Sequence, residues 1–346
     1  MGIPLKEIEE RVYRTYKGGK LLSEFCGRSE EADGFQPEDW ISSFVEAKNK
    51  TVIPGEGLTG VFVDGEIKNL RDAVSESDFG EGRTDAGVLV KLLDSAERLG
   101  IQVHPTKEYA RKIFSSEYGK TECWHILKTR SIGGESPCVY IGFKEHVTKE
   151  LWRELFMKQD VAGMLAAMHR LEVKCGDTVI VPGGTPHAIG AGCFMLEIQE
   201  PTDYTMRAEK ITVGGEVLTP MQIHYGVGEE NMLDCFEYIP LSDENVKERF
   251  LLKSKRDEIY DNVYHLVSYS DTPHFRLDKI SGGVYRHLCD SFVTVIITED
   301  GGTMSCSHGS VALSRSDKYF IPANTEITFE SASALVCYPP EIEHLK

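Results

Sequence analysis

Short apolar runs separated by Gly, Pro and acidic residues dominate this chain. Between residues 20 and 85 the runs are brief and rich in Gly, Asp, Glu and Ser, which predicts loops and short strands rather than long helices. Next comes Val88–Pro105, VLVKLLDSAERLGIQVHP. Its first seven residues fit a buried strand or a helix, and periodicity does not decide between them. GIQVHP reads as a strand stopped by Pro105. Lys107–Phe114 and Lys144–Leu171 carry a helical pattern. In the second, Phe143, Val147, Leu151, Leu155 and Phe156 recur near a 3.6-residue period with charges between them. Thr148 is placed to cap a turn, and Asp160 to start a second helix. This stretch predicts an amphipathic helical insert packed on a β-rich body.

After Leu171 the period changes. VKCGDTVIVPGG and CFMLEIQE are short β-rich runs, and from about Tyr260 onward come VYHLVSYS, FRLDKISG, FVTVIITED, KYFIPAN, EITFES and ALVCYP. Short strands punctuated by turn residues predict a sandwich or barrel. The charged segment Leu241–Asp261 links two β-rich units, so an ancestral duplication is a natural reading. The expected division is residues 1–258, with the helical insert at about 144–171, and residues 259–346.

Composition narrows the class. A length of 346 residues favours two domains, and an apolar fraction of 41 % supports a substantial core. No window approaches 18 consecutive apolar residues, so no membrane span is expected. The start, MGIPLKEIEERVYRTYKGGK, lacks an apolar region of the secretory kind. The net charge is −17, with acidic residues spread along the chain and no basic stripe, which argues against nucleic-acid binding. An anionic substrate would need a local cationic pocket. The nine cysteines include no C-x-x-C pair and read as reduced thiols in a cytoplasmic protein. Oligomeric state is open between monomer and homodimer.

Candidate chemistry begins at Ile101–Pro105. Gln102 and His104 are two apart on a strand and so share a face, one way to present two ligands to a metal. A lone strand histidine is more commonly structural, and Glu122 in Gly119-Lys120-Thr121-Glu122-Cys123-Trp124 reads by itself as a surface acid. More specific is Gly176–His187, with spacing G-x5-P-x-G-x2-H. GD makes a turn, TVIV a buried strand and PGG a second turn, after which His187 opens the next strand toward the interior. This spacing resembles the second motif of the cupin superfamily, whose histidine ligates metal. Gln102 and the distant Glu122 depart from the usual first motif.

Those departures fit one subfamily. Gln102-x-His104-Pro105, Gly119-Lys120-Thr121-Glu122-x-Trp124, His187-Ala188-Ile189-Gly190-Ala191-Gly192 and Leu196-Glu197-Ile198-Gln199 resemble type I mannose-6-phosphate isomerase. So do Glu38–Ser43 (EDWISS) and Thr202–Arg207 (TDYTMR), all in colinear order between about Gly18 and Lys210. The resemblance implies a mainly β fold of cupin (jelly-roll) barrels, a metal-binding barrel followed by a smaller C-terminal one. It implies one Zn2+ per chain held by Gln102, His104, Glu122 and His187, a donor set that suits zinc. The implied reaction is aldose–ketose isomerisation of mannose 6-phosphate and fructose 6-phosphate through an enediol. Lys120 then stands near the metal as a usable base, and Arg207 suits charge stabilisation or phosphate contact. Asp203 matches an acid assigned to ring opening, with a simple ion pair to Arg207 as the plainer alternative. Glu197 is an outer-shell carboxylate or a base. Lys210 is a further candidate for phosphate. Related readings are a metal cupin acting on another phosphosugar, an oxidising iron cupin, and a non-catalytic sugar-phosphate sensor.

Two positions depart from the subfamily and one from the wider cupin pattern. Gly119 stands where longer members carry a His, so a ring-opening role for that His does not transfer. Pro201 removes a backbone donor near the pocket. Ala191 stands where cupins usually carry Asn. His287 and His308 in the second unit lie in no ligand-like motif, so no metal is expected there.

Overall fold

The computed structural model describes residues 2–28, 30–288 and 290–344; Cys289, one of the nine cysteines, lies outside them. The strand Cys193–Gln199 shows how the sequence builds the molecule. All seven of its residues are buried. Alternation sends Phe194, Leu196 and Ile198 to one face and Cys193, Met195 and Glu197 to the other. Neighbouring Leu89–Asp94 behaves alike, with Val90 and Leu92 on the first face and Lys91 and Leu93 on the second. The ambiguous VLVKLL run is therefore a strand buried on both sides.

These strands lie in a seven-stranded sheet ordered Leu251–Leu252, Thr178–Val181, Glu122–Thr129, Cys193–Gln199, Leu89–Asp94, Glu38–Ile41, Arg11–Val12. A second sheet runs Met168–Glu172, Cys138–Lys144, His187–Ile189, Gln102–Val103, Met206–Arg207, with Pro240–Leu241 added beside Cys138–Lys144. Trp124, Ile126, Val179 and Met195 of the first sheet share a core with Val139, Ile141 and Ile189 of the second. Beside that core, Glu122 of the first sheet faces His187 of the second.

The other face of the seven-stranded sheet packs on a C-terminal sheet through Leu92, Leu196 and Ile198 against Leu277, Phe320 and Leu335. That C-terminal sheet draws in the N-terminal strand Leu5–Lys6, which pairs with Lys318–Ile321. Segment 241–261 carries the chain across: Leu251–Leu252 pairs with Thr178–Val181, and Lys255–Arg256 with Val263–Val267.

The helix Lys107–Phe114 forms as expected, with the Thr106 hydroxyl accepting the Tyr109 N–H at 3.1 Å. In the insert, Thr148 and Asp160 cap the helices Lys149–Lys158 and Val161–Ala166. The ends differ from the periodicity reading. Lys144 closes one strand and Met168–Leu171 belongs to another, because Met168–Glu172 pairs with Cys138–Lys144 in the sheet. Cross-strand pairing outweighs a helical pattern here. Among the described residues no helix is long and apolar enough to cross a membrane.

Candidate metal centre and cleft

Cross-strand register assembles the centre. Gln102 pairs with His187 on one side and Arg207 on the other. Across the interior, Gln199 pairs with Glu122, and Glu197 sits between Trp124 and Lys91. His104 follows the Gln102–Val103 strand, and Glu122 opens its own. The turn before His187 uses Gly184 at φ 83°, a left-handed conformation that favours glycine.

His104, Glu122 and His187 are all buried, and one ligand atom from each lies within 4.8 Å of the others. His104 Nε2 stands 3.1 Å from Glu122 Oε2, and His187 Nε2 stands 3.5 Å from Glu122 Oε1. Both rings are oriented from behind. His104 Nδ1 bonds the Tyr204 carbonyl at 2.8 Å, and His187 Nδ1 bonds the Thr185 carbonyl at 2.9 Å. Each bond puts the proton on Nδ1 and leaves Nε2 a lone pair. Burial pushes both imidazoles below their ordinary range, His104 most strongly, with Lys120 adding to the effect. Both rings are held neutral. His104 Nε2 and both Glu122 oxygens are buried without a hydrogen-bond partner. Three orphaned lone-pair atoms converging on one point fit a cation. The Gln102 side-chain nitrogen lies 3.1 Å from His187 Nε2 and donates to it; the His104–Glu122–His187 group by itself is a nitrogen–oxygen set of the kind that suits Zn2+.

Beside this group opens a cleft of about 650 Å3 whose lining includes Gln102, Lys120, Glu197, Asp203 and Arg207. Lys120 Nζ lies 3.4 Å from Glu122 Oε2. Glu197 accepts the Trp124 indole N–H at 3.2 Å and lies 3.3 Å from Lys91 Nζ. Burial pushes the Glu197 carboxyl up, Lys91 pulls it down, and the net shift is upward. Arg207 donates to the Gln222 carbonyl at 2.5 Å, and among the described residues no carboxylate pairs with it. Asp203 pairs with Arg14, at 3.5 Å, and not with Arg207; it also accepts the Lys48 N–H at 2.9 Å. Burial opposes its ionisation, but Arg14, Lys91 and Lys120 hold it below the usual carboxylate range. Lys210 bonds Glu229 at 2.6 Å and is absent from the cleft wall.

Several cleft residues were not singled out from the sequence. Glu38 lay in a quoted motif without a role; it accepts from Arg14 Nε at 2.9 Å, the Tyr16 hydroxyl at 2.7 Å and Trp40 Nε1 at 2.8 Å. Burial would raise it, but Arg14 and Lys91 bring it down to about 2. Lys91 carried one signal, a charge inside an apolar run. Arg14 and Lys48 carried none. The Lys48 ammonium sits 3.7 Å over the Tyr204 ring.

Fold and site together define a double-sheet, cupin-like protein with a buried His–Glu–His group at the head of a charged cleft. Among solved structures, the chain resembles mannose 6-phosphate isomerase from Bacillus subtilis, with TM-score 0.74 and 20 % identity over 97 % of this chain and 100 % of that one. It resembles a putative mannosephosphate isomerase from Archaeoglobus fulgidus, with TM-score 0.74, 18 % identity and coverage of 98 % and 99 %. A zinc-bound mannose 6-phosphate isomerase gives TM-score 0.74, 15 % identity and coverage of 98 % and 100 %. The fold is that of the phosphomannose isomerases.

No family model matches the chain. Curated sequences carry the same name. The probable mannose-6-phosphate isomerase GmuF of Bacillus subtilis (strain 168) is 38 % identical over 120 residues, 35 % of this chain and 36 % of that protein. The mannose-6-phosphate isomerase of Streptococcus mutans is 38 % identical over 120 residues, 35 % of each chain. These matches span about a third of the relatives' length. The putative mannose-6-phosphate isomerase YvyI of Bacillus subtilis (strain 168) matches 72 % of this chain and 73 % of its own length at 27 % identity. The resemblance read from the motifs thus recurs in both comparisons.

Proposed function

We propose that this chain is a zinc-dependent isomerase interconverting mannose 6-phosphate and fructose 6-phosphate. The observation that carries the reading is the orphaned His104–Glu122–His187 group opening beside a cleft that holds both Lys120 and Arg207. Gln102, His104, Glu122 and His187 would hold the ion. When bound, zinc supplies a Lewis acid for the oxygens at C1 and C2 and offsets negative charge on an enediolate.

The protein's own groups divide the remaining work. Lys120, beside the ligand Glu122, carries the proton between C2 and C1. Arg207 is held by backbone carbonyls, and among the described residues no carboxylate neutralises it, so its charge is available to the substrate phosphate. Asp203 is kept ionised, so in ring opening it takes the proton of the anomeric hydroxyl as the C1–O5 bond breaks and hands that proton to O5, with no net change. Glu197 is occupied by Trp124 and Lys91, and serves chiefly to fix Lys91 at the cleft floor.

The test is a coupled assay of the zinc-loaded protein across mannose, glucose and other 6-phosphosugars. Conversion of mannose 6-phosphate with the highest kcat/KM supports the reading. Conversion of another phosphosugar alone, or of none, overturns it.

A further inference from the structure

The turn that delivers Lys120 and Glu122 is held by a side chain outside the site described so far. Gly119, Lys120 and Thr121 present successive N–H groups. The Lys120 N–H donates to the Pro105 carbonyl at 2.9 Å. The flanking two meet one carboxylate: Gly119 N–H donates to Glu200 Oε1 at 3.2 Å, and Thr121 N–H donates to Glu200 Oε2 at 2.9 Å. The Glu200 N–H returns a bond to the Thr121 carbonyl at 3.0 Å, and the Thr202 hydroxyl donates to the Gly119 carbonyl at 2.7 Å. Glu200 is 1 % exposed. On its other side, His274 of the C-terminal unit brings Nδ1 to 3.5 Å from Oε1.

The opposite face of the turn is closed as well. A Cβ on Gly119 would lie 2.7 Å from both the Lys107 nitrogen and the Pro105 oxygen. The turn is therefore pressed between the Pro105–Lys107 backbone and Glu200. The backbone of Lys120 is fixed unless one of those supports gives way.

We propose that Glu200 is a positioning residue: its two oxygens grip the backbone on either side of Lys120 and thereby aim Lys120 and Glu122 at the cleft. Charge-assisted bonds to buried N–H groups are the stronger kind, and losing the acceptor leaves those donors unpaired at a cost. A glutamine in its place fills the same volume but offers one oxygen, and its amide N–H2 faces the other backbone donor. The turn would then rotate to relieve that conflict and carry Lys120 and Glu122 with it. Glu200 belongs neither to the His104–Glu122–His187 group nor to the cleft lining, and it acts only through the turn.

The experiment compares wild type with Glu200→Gln and Glu200→Asp, each loaded with Co2+ in place of zinc. The visible absorption spectrum reports the geometry of the Glu122 ligand, and steady-state kinetics with mannose 6-phosphate report Lys120. The rate readout rests on the isomerase reading; the cobalt spectrum does not. Expected for Glu200→Gln is a changed spectrum with kcat down about 10- to 100-fold, as a misplaced catalytic group produces, and KM within about threefold. Glu200→Asp, keeping the charge on a shorter arm, recovers part of both. If soluble Glu200→Gln shows the wild-type spectrum and the wild-type kcat, whatever its melting temperature, the assignment fails. A wild-type protein that isomerises nothing while the variant spectrum still changes would sink the isomerase reading and leave the positioning role standing.

Discussion

Nε2 of His104 and Oε2 of Glu122 face each other at 3.1 Å inside the protein, and neither has a hydrogen-bond partner. The His104 proton is committed to the Tyr204 carbonyl on Nδ1, so lone pair faces lone pair. A cation relieves this arrangement and a proton on Nε2 would do so only at the expense of burying a charged ring. Glu122→Gln removes the one anionic ligand. Its zinc affinity should fall at least 10-fold, measured by competition with a chromophoric chelator, while the fold persists. At zinc a thousandfold above its dissociation constant the wild type should gain about 4 kcal/mol of stability, and Glu122→Gln at the same zinc concentration should gain less by about 1.4 kcal/mol for each tenfold loss of affinity.

Lys120 should separate catalysis from metal binding. Lys120→Met keeps much of the stem and removes the proton carrier. Turnover of mannose 6-phosphate should fall by roughly 100-fold or more, the range for a general base, with one zinc still bound by metal analysis. Undiminished turnover in this variant would transfer the proton to another group.

Arg207 is predicted to read the phosphate. Arg207→Ala should lower kcat/KM for mannose 6-phosphate about 10- to 100-fold, the scale of a lost charge-assisted contact. Any slow turnover of unphosphorylated mannose should be unchanged. Equal losses with both sugars would place Arg207 at the reacting carbons instead.

Glu7 gives a pH dependence that lies away from the cleft. It is buried against Ser42, whose N–H it accepts at 2.9 Å, and burial raises its carboxyl from 4.5 to about 7 despite that bond. The folded protein therefore keeps a proton that the unfolded chain has lost. Stability from this group is complete below pH 4.5 and declines as pH rises toward 7, by about 3 kcal/mol at most. Glu7→Gln, a neutral mimic, should show a smaller fall in melting temperature between pH 5 and 7.5. Parallel curves for the two proteins would show that Glu7 does not titrate in this window.

Which features were legible follows from the range of the interactions involved. His187 was readable because turn, strand and turn residues at fixed offsets lead up to it. Gln102 and His104 share a strand face by a period of two, but only the resemblance marked them as ligand candidates. Glu122 was readable only through resemblance, because a helix, Lys107–Phe114, intervenes and the sheet partner Gln199 is remote in sequence. Lys91 stayed hidden because its strand is buried on both faces, and an apolar run does not say which face meets a cleft. The Asp203–Arg14 pair joins residues 189 apart in sequence, with no local signal at either end. At the insert, helical periodicity extended into Met168–Leu171 because pairing with Cys138–Lys144 leaves no mark in one segment alone.

The central claim is that isomerisation depends on one ion held by Gln102, His104, Glu122 and His187. The most direct measurement is a zinc titration of fully chelated protein, following conversion of mannose 6-phosphate to fructose 6-phosphate. The predicted result is negligible activity without metal, rising linearly and breaking at one zinc per chain, with His104→Ala remaining inactive throughout. Full activity in the chelated protein, or in His104→Ala, would contradict it.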